Sequence, residues 1–142
     1  MSLDEVKKRF VEEVKLRAYD DKYIDKNEER EILQIAIQKG ISVESARSAL
    51  SQVCEAQGYV LESRVLSQLK DLIDTFASND GKIDEKEFND AVTTLKKRCQ
   101  GKRNEVQCKK MVIEVIQDNS YQVKEGLFNH WYSKVKKEVG MA

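Results

Sequence analysis

Six carboxylates occur in two copies of one spacing. Asp21, Asp25 and Glu28 belong to Ala18-Tyr19-Asp20-Asp21-Lys22-Tyr23-Ile24-Asp25-Lys26-Asn27-Glu28. Asp80, Asp84 and Glu87 belong to Ala77-Ser78-Asn79-Asp80-Gly81-Lys82-Ile83-Asp84-Glu85-Lys86-Glu87. Ala, Asp, Ile, Asp and Glu match at 18/77, 21/80, 24/83, 25/84 and 28/87, which marks an internal duplication. Two chemistries are open to these residues. Three carboxylates within one turn suit a hard divalent cation, calcium or magnesium, which wants oxygen ligands. The same residues suit a helix start: an Asp N-cap with Glu three residues on forms a capping box and favours the positive helix end. That arrangement stabilises by about 1–2 kcal/mol with no ligand at all.

A second constellation is basic. Lys96, Lys97, Arg98, Lys102, Arg103, Lys109 and Lys110 are interrupted by a single acid, Glu105. Such a run could meet phosphate, an anionic membrane surface or an acidic protein. It could equally be a solvated helix end that complements its own C-terminal dipole. His130 is the single histidine. With no second histidine, and no P-loop or dinucleotide glycine motif, neither zinc-hydrolase nor Ser-His chemistry finds support. A metal-dependent hydrolase would need a cleft that nothing in the sequence announces.

The elements that position these groups read as helices. The chain has 142 residues, no proline and six glycines. That size fits one domain with its own core, spanning 1–142. Charged residues make up 35% and cancel to a net charge of zero, whereas a nucleic-acid binder is expected to be basic. Cys54, Cys99 and Cys108 form no CxxC and read as reduced thiols. No basic and apolar leader opens the chain, and no apolar run reaches the length of a membrane span, so a cytoplasmic location is expected.

Apolar spacing predicts seven helices. The first (4–17) presents Val6, Phe10 and Val14; the second (26–39) has a wide apolar face around Ile32, Leu33 and Ile37. Gly40 ends the second, and Ser42 caps the third. The fourth (62–76) carries Val65, Leu69 and Ile73, the fifth Phe88, Ala91 and Leu95, and the sixth Val106, Val112 and Ile116. The last is expected to hold Leu127, Phe128, Trp131, Tyr132, Val135 and Val139 as one core-facing stripe. Two further turns look like degenerate copies of the first pair that lack its carboxylates; in the first of them Gln57 replaces Asp80 and Leu61 replaces Asp84. Aligning Gly58 with Gly81 places Val60 on Ile83, and Val123 takes the same place in Asp118–Glu125. The repeat units are then about 4–76 and 62–139, with helix four shared.

The acidic turns resemble the second half of an EF-hand loop, with Asp80, Asp84 and Glu87 at ligand offsets around Gly81. The chelating first half is missing: its places are filled by Phe76 and Ser78, and by Arg17 and Tyr19 in the earlier copy, where Lys22 replaces the glycine. An all-helical chain of this length with two Ala-x-x-Asp-x-x-Ile-Asp-x-x-Glu turns is similar to the TerB-like family associated with tellurite resistance. The resemblance covers most of residues 10–139. It implies a compact α domain, acidic turns proposed to bind divalent cations, and a loose link to stress response and membrane-associated complexes. The expected function is a non-enzymatic binding or scaffold module with a protein partner. The alternative is a structural interaction domain whose acidic turns only cap helices.

Short connections force successive helices antiparallel. Ile24 is therefore expected to pair with Val60, and Ile83 with Val123, as two short backbone bridges. A continuous fourth helix would hold the two acidic turns at opposite poles, too far apart to share a dinuclear metal site.

Overall fold

A computed structural model describes residues 2–141. Among them the chain forms seven helices: α1 (Leu3–Arg17), α2 (Lys26–Ile37), α3 (Val43–Gln57), α4 (Glu62–Ala77), α5 (Glu85–Arg98), α6 (Glu105–Asp118) and α7 (Trp131–Glu138). Four two-residue strands join them: β1 (Tyr23–Ile24), β2 (Val60–Leu61), β3 (Lys82–Ile83) and β4 (Gln122–Val123). The fold is all-α, as the apolar periodicity predicts.

Local chemistry sets the helix ends. Ser2, Asp25, Ser42, Asp84 and Asn104 each accept the amide three residues on. Gly40 ends α2 in the left-handed region at φ +81°, and Ile41 N–H reaches back to Ala36 C=O at 3.1 Å.

The chain packs as two compact units, the first ending at Arg64 and the second beginning at Val65. In the first, Val6, Phe10 and Val14 of α1 pack with Ile32 and Ala36 of α2 and Ala46, Leu50 and Val53 of α3. Ile37, expected on the wide face of α2, is instead exposed. The first turn of α4 belongs to this unit: Tyr23 Oη–H donates to Glu62, and Ser63 Oγ–H to buried Glu29 at 3.0 Å. The rest of α4 lies in the second unit, where Phe88, Ala91 and Leu95 of α5 and Cys108, Val112, Ile113 and Ile116 of α6 are buried. Val106, expected on the α6 stripe, is 45% exposed; that stripe starts at Cys108.

Each acidic turn is bridged to a degenerate turn within its own unit. β1 pairs with β2 and β3 with β4, both in parallel. Ile83 faces Val123 as expected, but Ile24 faces Leu61, and Val60 faces Tyr23. The slip of one residue has a local cause. Gly81 takes the left-handed conformation immediately before β3, as Lys22 does before β1. Gly58 and Ser120 take it two residues before their strands, just past the ends of α3 and α6. Tyr59 N–H and Tyr121 N–H then close those helices onto Cys54 C=O and Ile116 C=O. Gly58 is therefore a helix stop and not the counterpart of Gly81.

The final helix is shorter than its apolar pattern. It begins at Trp131, and Leu127 and Phe128 lie outside it in the loop after β4, 83% and 92% exposed. Trp131 and Val139 are buried at 3% each. Gly126 and Asn129 flank the exposed pair and break the helical run.

Candidate functional site

The two acidic turns have the same geometry. Glu28 N–H donates to Asp25 Oδ1 at 2.8 Å, and Asp25 N–H to Glu28 Oε1 at 3.1 Å. Glu87 N–H and Asp84 N–H make the same pair of bonds, at 2.8 and 3.1 Å. Asp21 Oδ1 accepts Tyr23 N–H at 3.1 Å, and Asp80 Oδ1 accepts Lys82 N–H at 3.0 Å. All six carboxylates thus take up amides of their own segments: Asp25, Glu28, Asp84 and Glu87 those at a helix start, which otherwise lack partners, and Asp21 and Asp80 the first amide of β1 and of β3. Among the described residues, no group of three His, Cys, Asp or Glu side chains is placed to hold a metal ion. In the first turn, the place of an absent first-half ligand belongs to Arg17, whose Nη1 pairs with Glu13 at 2.6 Å.

Electrostatics separate Glu28 from its neighbours. Burial pushes its carboxyl above the ordinary value of 4.5, the Asp25 amide works against that, and the charges of Asp25 and Asp21 add to it. Cys54 and Cys108 are held as unreactive thiols by their environment. Burial drives Cys54 up to about 12, helped by Glu29 and opposed by Arg64, and burial likewise raises Cys108.

The basic residues gather where α5 ends and α6 begins. Lys96, Lys97 and Arg98 form the last turn of α5 and are exposed, as are Lys102 and Lys110. Arg103 is half-buried, and its Nη1–H donates to Lys102 C=O at 3.2 Å. Lys109 is also half-buried and pairs with Glu138 at 3.4 Å. Beside them, an open slot between α4 and α5 is lined by Val65, Leu69, Leu72, Thr94 and Leu95. Its rim is Arg98, whose Nη1–H donates to Gln68 Oε1 at 2.8 Å.

The opposite end of the second unit is acidic and carries the exposed Leu127–Phe128 pair. β3 and β4 lie there with the start of α5 and the end of α6, which brings Asp80, Asp84, Glu85, Asp118 and Glu125 to one end; Lys82, Lys86 and Lys124 partly offset them. The loop is anchored on both sides. Lys124 N–H donates to Ile83 C=O at 2.8 Å, Trp131 Nε1–H to Lys124 C=O at 2.9 Å, and Asn129 Nδ2–H to Glu85 at 3.5 Å. Trp131 packs on Phe88 with ring centroids 5.3 Å apart. Behind the loop, Tyr132 Oη and Glu125 Oε2 are buried without a hydrogen-bond partner in the protein. Burial raises the Tyr132 hydroxyl, and the Glu125 charge adds to the effect. His130, next to this loop, is exposed and makes no side-chain cap for α7.

Sequence reasoning found the caps and the basic run, but it missed the slot and placed Leu127 and Phe128 in the core. The available signal was the Gly126 and Asn129 punctuation, which weighs against a helix starting before Trp131. The molecule defined by these features is an α-helical protein with two capped, bridged turn pairs and a second unit polarised in charge. No protein-family model, curated protein or solved structure matches the chain. Among the described residues, no helix is long and apolar enough to cross a membrane.

Proposed function

We propose that this chain is a non-enzymatic interaction module of TerB-like type, in which the acidic turns cap helices and the basic end of the second unit meets an acidic protein. One observation carries the reading: the six turn carboxylates already accept amides of their own segments. A cation would have to compete with those bonds, each of which engages one oxygen of its carboxylate, and the duplicated motif has a role in the fold without one. Lys96, Lys97, Lys102 and Lys110 stay at the surface, where they can steer an acidic partner. A zero net charge argues for such a local patch over general attraction to nucleic acid. The stress-response setting comes with the family resemblance and forms part of this proposal only.

The test uses the full chain and a glutamate-rich peptide as probe, with phosphatidylserine vesicles as a second probe. Binding of the peptide should weaken by about tenfold between low and physiological salt. Reversal of Lys96, Lys97, Lys102 and Arg103 to Glu should abolish it. Peptide binding insensitive to all four reversals ends the reading, and binding to vesicles alone replaces the protein partner with a membrane surface. A parallel calcium or magnesium titration should leave the amide resonances of 21–28 and 80–87 unmoved. Saturable shifts confined to those segments would restore the cation as the ligand of the turns.

A further inference from the structure

The second unit carries two features that complement each other from opposite ends of α5. At one end, Leu127 and Phe128 project from an anchored loop, the two most exposed large apolar side chains among the described residues, at 83% and 92%. At the other, the α4–α5 slot offers apolar walls of Val65, Leu69, Leu72 and Leu95 under the Arg98 rim. The projecting pair lies at the acidic end, where Glu85 is bonded to its loop and Lys82, Lys86 and Lys124 only partly offset the acids; the slot lies at the basic end, with Arg98 on its rim and Lys97 and Lys102 close by in the chain. Charge and polarity therefore match in pairs: an apolar knob in an acidic surround and an apolar recess in a basic one.

The knob cannot reach the slot of its own chain. Asn129 is bonded to Glu85, the first residue of α5, while Arg98 is the last. Those 14 residues span about 20 Å. The loop is tied at Lys124 on one side and at buried Trp131 on the other, so it cannot cross that length. Any chain that fills the slot with this knob is another molecule.

We infer that the Leu127–Phe128 loop of one copy docks in the α4–α5 slot of a second copy, head to tail. The inference rests on the proposed interaction function and names its acidic partner as this same chain. Burial of Phe128 supplies the apolar term, and the acidic and basic surrounds orient the approach. The contact is small, so the association is weak and transient. It is also heterologous: each copy keeps one unused knob or one unused slot, so addition continues in an open series or closes a ring.

The experiment is sedimentation of the full chain from micromolar to millimolar concentration at low and physiological salt. The expected average mass rises with concentration past that of a dimer, and the rise diminishes with salt. Phe128→Ser removes the knob and keeps the slot; Arg98→Glu spoils the slot and keeps the knob. Both positions are exposed, so both variants keep the fold, which circular dichroism checks. Each variant alone should be monomeric over the range where the parent associates. Their equimolar mixture should form one-to-one pairs and stop there, because one good knob meets one good slot. With isotope-labelled Phe128→Ser, the methyl signals of Leu69, Leu72 and Leu95 should shift when Arg98→Glu is added. A parent that stays monomeric, a parent whose mass stops at dimer, or a mixture that fails to pair overturns the inference. Loss of Phe128 that affects only binding to neutral phosphatidylcholine vesicles also overturns it, in favour of a lipid contact. A monomeric parent that still binds the glutamate-rich peptide would sink the self-docking and leave the proposed function standing.

Discussion

Glu28 has two opposed effects on the start of α2. Its carboxylate accepts the Asp25 amide and completes the capping box, which stabilises the helix end. Its charge is also partly desolvated and lies near Asp25 and Asp21, so its folded-state pKa is raised from 4.5. For a carboxyl raised on folding, the stability contribution is complete below the unfolded value and is lost as pH rises through the folded one. Two substitutions separate the effects. Glu28→Ala removes the acceptor and should destabilise by about 0.5–1.5 kcal/mol at neutral pH, in chelator as well as in calcium. Glu28→Gln keeps an acceptor and removes the titration. Its stability relative to the parent should therefore improve as pH rises from about 4 to neutrality. Urea melts across that range check both. A Gln variant that loses ground to the parent with rising pH would show that the charge is needed at this position.

The two acidic turns are the same element built with different tolerance. Each requires a left-handed residue immediately before its strand: Gly81 at φ +74° in one and Lys22 at φ +53° in the other. Glycine accepts that conformation without a Cβ penalty, whereas lysine does not. A Cβ at Gly81 would meet nothing within 4 Å, so the penalty there is conformational and not steric. Gly81→Ala should therefore destabilise by about 1 kcal/mol, while Lys22→Gly should stabilise by about 0.5 kcal/mol once the greater freedom of unfolded glycine is subtracted. Thermal melts of both single variants supply the comparison. Equal and unfavourable effects at the two sites would mean that the Lys22 side chain contributes packing that its exposed position does not suggest.

At the scale of the whole molecule, charge cancels in sum but not in place: the second unit has a basic end and an acidic end on a chain of zero net charge. The units can also be followed separately, because Cys54 lies in the first and Cys108 in the second, both buried. With its pKa near 12, Cys54 holds almost no thiolate at pH 8, and alkylation of the native chain should be slower than at an exposed thiol by about a thousandfold. The sign for stability follows: this thiol's contribution is full below its unfolded value near 9.0 and falls away as pH climbs toward 12. Mass spectrometry after timed alkylation reads the rate, and urea should release it. Rapid native labelling of Cys54 would mean that the first unit opens readily.

The elements set by local chemistry were legible without the fold. Caps at Asp25, Ser42 and Asp84, the stop at Gly40, and the stripes Val6–Phe10–Val14 and Val65–Leu69–Ile73 each depend on residues within a turn or two, so the chain states them directly. The partnership of each acidic turn with a degenerate one was also legible, because helix direction alternates and leaves few turns at one end. The register was not. A helix stop and a strand-entry turn both use a left-handed residue, and only the bonds from Tyr59 and Tyr121 to the preceding helices tell the two apart. The fate of Leu127 and Phe128 was likewise a tertiary decision. They share the spacing of Trp131 and Val135, but the core beside Phe88 is filled by Trp131, whose indole N–H closes the loop onto Lys124. Period says which residues can share a helix face; only packing says where the helix begins and which apolar side chains stay outside the core.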